Sequence, residues 1–307
     1  MSDGVMISFP GLGINEFKID SVAFAPFGIE IRWYALIICT GIILAFLYFY
    51  NRAKRTEQLL EDDVLNVTLI AVPLAIVGAR FLYVITNLDS YDSFFEMINI
   101  REGGIAIYGA IIFGALALLG YTKLKKLPTL KFFDAICPAV MIGQIIGRWG
   151  NFMNGEAFGK GYGAENLPWR MTVQRFVYTA NGDIDKTGYH YHEATHPTFL
   201  YESLWNLLGF VIANVLYKKK KYDGQIFLFY VAWYGFGRGL IEILRSDSLL
   251  VFGQKLMVYL GLITCAVAIV FYVLMLRRSN NKPDEVAEFV KAKENDKNDG
   301  ETDTEAE

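Results

Sequence analysis

Leu256 to Leu276 reads LMVYLGLITCAVAIVFYVLML, 21 residues without a charged side chain, followed at once by Arg277-Arg278. A helix rising about 1.5 Å per residue would carry that stretch across the roughly 30 Å of a bilayer's hydrocarbon core. Six further segments come close to the same pattern: residues 34–50, 64–86, 103–122, 132–147, 198–217 and 224–244. The apolar residues lie in long blocks and do not form the period-3.6 or period-2 stripes of half-buried elements. The 307-residue chain is 53% apolar, with a mean hydropathy of +0.30, which argues against an ordinary soluble globule. The fold expected is all-α, a polytopic membrane helical bundle of about seven transmembrane helices.

Basic residues follow every odd-numbered span: Arg52, Lys54 and Arg55; Lys123, Lys125, Lys126 and Lys131; Lys218 to Lys221; Arg277 and Arg278. By the positive-inside rule the N-terminus is outside, the C-terminus is in the cytoplasm, and residues 87–102, 148–197 and 245–255 face outward. The segment after the fourth span is about fifty residues long and rich in aromatics, including Phe152, Phe158, Tyr162, Trp169 and Tyr191. A loop of that length is usually functional, so a small folded extracytoplasmic head is expected between spans four and five. The layout is then an extracytoplasmic arm at 1–33, spans one to four at 34–147, the signature loop and head at 148–197, and spans five to seven at 198–278. Residues 279–307 form an acidic tail: after Pro283 ten Asp or Glu face three Lys, a composition expected to stay disordered in the cytoplasm. No signal peptide is expected at the N-terminus. Cys39, Cys137 and Cys265 sit inside apolar blocks without partner spacing, which indicates neither a disulfide framework nor a thiolate metal site.

Charge at membrane depth costs about 2.5–3.5 kcal/mol per residue at a helix centre, so each instance needs a reason. Arg80, Arg148, Glu156, Glu202, Arg238, Glu242 and Arg245 all fall in or next to the outward half of a span. On the sixth span Tyr234, Arg238 and Glu242 are spaced by four and Arg245 follows three later, which puts all four on one helical face. The fourth span ends in Gly147-Arg148-Trp149-Gly150-Asn151-Phe152-Met153-Asn154-Gly155-Glu156-Ala157-Phe158-Gly159. Its glycines, amides and charges suggest a tight exit turn whose backbone approaches a ligand closely. Arginine's planar fork suits phosphate oxygens, and Glu156 suits an acid, a base or an orienting partner for Arg148. His190, His192 and His196, with Glu193, have spacings able to ligate zinc. They lack a cysteine and a helical HExxH arrangement, so no metal site is expected. From the residues alone, an outward cavity lined by Arg, carboxylates, Asn and Tyr fits an anionic phospholipid head group, or equally an anion transporter.

Residues 147–159 resemble the signature of the bacterial prolipoprotein diacylglyceryl transferases, G-R-x-G-N-F-x-N-x-E-x-x-G, at every specified position. Trp33-Tyr34, Glu102-Gly103-Gly104, His196-Pro197 with Tyr201-Glu202, and Tyr234 with Arg238 and Glu242 resemble further blocks in the same order. The resemblance implies a multi-pass enzyme of the bacterial cytoplasmic membrane. It would move the diacylglyceryl group of phosphatidylglycerol to the lipobox cysteine of a prelipoprotein signal peptide and release glycerol 1-phosphate, with no cofactor and no nucleic acid involved. By motif matching Arg148, Arg238, Tyr108, Glu156 and Glu242 are the expected catalytic residues. Phosphatidylglycerol is expected to be held by Arg148, Asn151, Asn154, Gly159, Tyr34, Tyr234 and Arg245. Tyr108 stands where some relatives carry a histidine, which leaves Glu156, Glu242 or the departing phosphate to accept the thiol proton. The competing reading is an outward-facing transporter of an anionic solute or lipid; it calls for polar residues continuing inward, whereas the inner halves of these spans are apolar.

Overall fold

The computed structural model describes residues 3–99, 104–159, 163–179, 181–187, 191–245, 250–251 and 254–280. His190, Tyr162, Glu102, Gly103 and the acidic tail from residue 281 lie outside the described residues. Among the described residues eight α-helices are present: α1 (Trp33–Arg55), α2 (Glu61–Thr86), α3 (Phe94–Ile98), α4 (Ile107–Leu124), α5 (Thr129–Met153), α6 (Thr198–Tyr217), α7 (Gln225–Leu244) and α8 (Leu256–Asn280). All but α3 are long and apolar enough to cross a membrane. The described residues divide into two compact units, one drawn from the stretches up to residue 49 and from 136 to 280, the other from 50–135.

In the first unit α7 packs between α6 and α8. The indoles of Trp205 on α6 and Trp233 on α7 stack with centroids 4.3 Å apart. Each donates its N–H to the other's backbone carbonyl, at 3.1 and 3.0 Å. Gly209 and Gly237 make room for this clasp, since a Cβ at either would fall 2.3 or 2.0 Å from the opposite indole nitrogen. On the other face of α7, the backbones of Gly235 and Gly261 nearly touch, the close approach that small residues permit between membrane helices.

In the second unit α2 packs on α4, with Phe113 lying against Gly78 and Gly109 against the Gly78 carbonyl. Arg80 is buried and donates to the carbonyls of Met97 (2.7 Å), Gly104 (2.8 Å) and Glu96 (2.7 Å). This charge at membrane depth therefore ties down the backbone that leads into α4. That helix starts at Ile107, later than the expected residue 103, because Gly104 takes φ +77°, in the left-handed region that glycine adopts readily.

The head is a small β structure. Strands β1 (Asp3–Phe9), β2 (Ile14–Asp20), β5 (Met171–Tyr178), β6 (Ile184–Asp185) and β7 (His192–Thr195) form one antiparallel sheet in the order β2-β1-β5-β6, with β7 also on β5. Strands β3 (Val22–Phe24) and β4 (Ile31–Arg32) make a hairpin that runs into α1, and β8 (Leu250–Val251) pairs with β9 (Gln254–Lys255) ahead of α8. Val5, Ile7, Met171, Val173 and Phe199 form the head's core, with Phe152 and Phe158 packed against it. Residues 3–20, read from sequence as an arm apart from the head, thus supply two of its strands. Their partner lies more than 150 residues away, and pairing at that separation leaves no local signal.

Helix α5 also departs from expectation. It runs 25 residues to Met153, where the sequence suggested a short span ending at 147 and a turn beginning there. Gly147 and Gly150 act as packing surfaces and do not break the helix: a Cβ at Gly150 would lie 2.9 Å from the Tyr34 ring. The turn comes at Asn154 to Ala157, where Gly155 takes φ +56° and a Cβ would fall 2.5 Å from Val5 and 3.2 Å from Val173.

Candidate active site

Three elements of the first unit converge at the head end of the bundle. Helix α7 presents the stripe expected from its spacing, and Arg238 Nη1 lies 2.6 Å from Glu242 Oε2. That contact is a charge pair without hydrogen-bond alignment. Arg245 follows at the C-cap of α7, its Nε 3.9 Å from the same carboxylate oxygen. Helix α6 brings Glu202, which has no basic residue on its own helix. Glu202 is 3% exposed and Glu242 2%. From α5, Arg148 forms an ion pair with Glu202 Oε2, while Arg245 Nη1 and Arg238 Nη1 stand 3.4 and 3.9 Å from Glu202 Oε1.

Three guanidinium groups therefore surround two buried carboxylates, leaving one positive charge in excess. Mutual pairing offsets part of the desolvation cost of charge at membrane depth. The arginine side chains retain 11 to 20% of their exposure, so the cationic side of the cluster is the accessible one.

The signature residues extend the network toward the head. Arg148 Nη1 donates to Asn151 Oδ1 at 3.3 Å. Asn151 and Asn154 both donate their amide N–H to Glu156 Oε1, at 3.1 and 3.2 Å. Glu156 Oε2 faces Arg175 of β5 at 3.7 Å. The two carboxylates named from sequence thus differ in kind: Glu242 is committed to arginines, whereas Glu156 is held mainly by neutral amides and stays 37% exposed.

Gly159 exchanges backbone hydrogen bonds with His196, N–H to O at 3.0 and 2.8 Å, and bridges to Arg245. A Cβ there would fall 2.7 Å from the Leu244 carbonyl and 2.9 Å from the His196 Cβ. Its place in the signature is explained by this three-way seam, which fixes where α7 ends. Tyr34 is half-buried beside Gly150, and Tyr234 stacks on Tyr230 with centroids 5.8 Å apart. Tyr108 belongs to the second unit, in the first turn of α4, and its ring is exposed.

Two residues outside the expected set prove central. One is Glu202, legible in the sequence as an acidic residue in a span without a basic partner on its helix. The other is Lys255, whose Nζ donates to the carbonyls of Glu242 (3.0 Å), Ile243 (2.8 Å) and Arg245 (2.7 Å). It caps the C-terminus of α7, where a cation suits the helix dipole; no spacing rule announces it from β9. Among the described residues no group of three His, Cys, Asp or Glu is placed to hold a metal ion. His196 is buried, with its ring near the Tyr201 hydroxyl at 3.5 Å, and His192 packs against Phe158.

A family model described as prolipoprotein diacylglyceryl transferase matches residues 21–276. The chain belongs to the prolipoprotein diacylglyceryl transferase family. A relative from Streptococcus suis (strain 05ZYH33), named phosphatidylglycerol-prolipoprotein diacylglyceryl transferase, is 41% identical over 270 residues, covering 87% of this chain and 96% of the relative. Proteins of the same name from Clostridioides difficile (strain 630) and Enterococcus faecalis (strain ATCC 700802 / V583) are 38% and 42% identical. They cover 87% and 86% of this chain, and 100% and 94% of their own lengths. As a member of the prolipoprotein diacylglyceryl transferase family with seven helices of spanning length, the chain is a multi-pass membrane protein.

Proposed function

We infer that this chain is a transferase that moves the sn-1,2-diacylglyceryl group of phosphatidylglycerol onto the cysteine thiol of a prelipoprotein lipobox. A thioether forms and glycerol 1-phosphate is released. The observation that carries the reading is the trio Arg148, Arg238 and Arg245, with one excess positive charge, on a chain of this family. The sulfur attacks the glycerol carbon that bears the phosphate, the C–S bond forms as the C–O bond breaks, and the electron pair leaves on the phosphate oxygen. Arg148 and Arg238 stabilise the charge growing there, an electrostatic contribution typically worth about 2.7–4 kcal/mol per donor. Arg245 joins them in holding the head group.

Glu156 takes the thiol proton in this scheme, since its carboxylate is held by amides, whereas Glu242 orients Arg238. Asn151 and Asn154 fix Glu156. Gly159 sets the seam beside Arg245, and Tyr34 and Tyr234 line the approach of lipid or peptide. Tyr108 keeps a substrate-orienting role on the family motif alone. The basic runs at Arg52 to Arg55, Lys123 to Lys131, Lys218 to Lys221 and Arg277-Arg278 support an N-terminus outside, a cytoplasmic C-terminus, and the bacterial cytoplasmic membrane as the location. The domains follow that order, from an extracytoplasmic head that takes in residues 3–20 to a cytoplasmic acidic tail. The transporter alternative is not favoured, because the charged network stops at the head end of α6 and α7.

The test is transfer of label from glycerol-labelled phosphatidylglycerol to a synthetic lipobox peptide by the purified protein, with cysteine or serine at the acceptor position. Transfer that requires cysteine and releases glycerol phosphate is the expected result. Absence of transfer from folded, lipid-bound protein would overturn the reading.

A further inference from the structure

We propose that Glu202 is a positioning residue, the shared counter-ion of the three arginines, which sets the site's charge so that it holds a phosphodiester monoanion and sheds a phosphomonoester dianion. The proposal rests on the transferase reading of the site and adds a role for a residue that lies in a family-like block but outside the expected site residues. Glu202 is the acidic residue on an otherwise uncharged helix, 3% exposed, and arginines from α5 and from the end of α7 converge on it. Glu242 differs, because its partners Arg238 and Arg245 are on its own helix or at that helix's cap. Among the described residues Glu202 is the one carboxylate paired with Arg148.

Charge counting then gives the device. Within the cluster three arginines against two carboxylates leave a charge of +1, the Lys255 ammonium being spent on the last carbonyls of α7 and Glu156 facing Arg175; the single negative charge of a phosphodiester neutralises it. Once the C–O bond to the diacylglyceryl group breaks, the phosphate is a monoester carrying about −1.5 to −2 near neutral pH. Glu156 has taken the thiol proton, so the added negative charge falls on the arginine cluster alone, where the Glu202 carboxylate competes for the same N–H donors. The arginines return to Glu202 as the product leaves. Without that carboxylate the site would be +2 and would retain the dianion.

The experiment uses the full-length protein in lipid nanodiscs at pH 7.5, with binding measured by calorimetry. The probes are sn-glycerol 1-phosphate and its methyl phosphodiester, a dianion and a monoanion with the same glycerol. The proteins are the wild type, Glu202→Gln, and Glu193→Gln on the exposed face of β7 as a control. The expected result is wild-type discrimination between the probes of no more than about threefold, and binding of the monoester by Glu202→Gln tightened by about tenfold or more. In turnover, Glu202→Gln should lower KM for phosphatidylglycerol and lower kcat, with a burst of product in the first cycle as release becomes limiting. Damage to the fold does not tighten ligand binding, so the gain in affinity separates charge-setting from a merely structural role. Unchanged or weaker monoester binding in a folded Glu202→Gln protein would overturn the proposal. So would a tenfold or greater preference for the dianion in the wild type, an arm that stands even where Glu202→Gln fails to fold. A wild-type protein that transfers no diacylglyceryl group would overturn the transferase reading itself, a different failure from normal transfer without the affinity change.

Discussion

At the scale of single residues, the arginines divide by what their donors meet. Arg80 spends its donors on three backbone carbonyls, whereas Arg148, Arg238 and Arg245 share two carboxylates and keep part of their surface. Arg238→Ala and Arg148→Ala are each expected to lower kcat by about 10²–10³-fold while the protein still inserts, because Glu202 keeps at least one arginine partner in either case. Normal transfer by Arg238→Ala would remove its leaving-group role. Glu156→Gln keeps an amide in the place of the carboxylate but cannot accept a proton; kcat should fall by about 10²–10⁴-fold with KM little changed. A loss below about tenfold would instead hand the proton to the departing phosphate. The proximity of Arg238, Glu242 and Arg245 was legible beforehand, since spacings of four and three on one helix dictate a common face. The convergence of three elements on Glu202 was not, because sequence shows that an intramembrane carboxylate needs a partner without showing which residue provides it.

At the scale of elements, the seven long apolar segments could be read from hydropathy because a membrane helix satisfies its own backbone and needs no distant partner. Their ends were less legible. Helix α5 outran its expected limit since Gly147 and Gly150 serve as contact surfaces, and glycine in sequence looks the same whether it packs or breaks. Two devices set α7 in place, the Trp205 and Trp233 clasp and the Lys255 cap. Lys255→Met removes three hydrogen bonds from the last carbonyls of α7, which carry Glu242 and Arg245 with them. The expected outcome is a fall in kcat of about tenfold or more, because slight misplacement of a binding group costs heavily, with little change in the amount of folded protein. Gly237→Ala should act on folding instead: a methyl group driven into the Trp205 indole costs about 1–3 kcal/mol, seen as a lowered Tm in detergent with residual activity per folded molecule preserved. Equal losses of activity and fold in both variants would refute this division.

At the scale of the whole molecule, local and non-local order separate cleanly. The spans are local and were readable; the head sheet, whose strand β1 meets β5 across more than 150 residues, was not, because a seven-residue strand such as DGVMISF has no signal for its partner. That sheet matters to the chemistry through one chain of contacts. Val5 and Ile7 are buried in the core against which Phe152 and Phe158 pack, and those two rings bracket the turn that carries Asn154 and Glu156. Ile7→Asp buries an unpaired charge and should therefore unfold the head locally, since such a charge costs several kcal/mol. Transfer is expected to fall to background, and limited proteolysis should cut within residues 171–195, while α6 to α8 remain protected in the nanodisc. Removal of residues 283–307 supplies the contrast: a charged segment with few apolar residues has little surface to bury, and transfer should stay within about twofold of the full chain. Activity surviving Ile7→Asp alongside a cleaved head would show that the signature turn holds its shape on α5 alone.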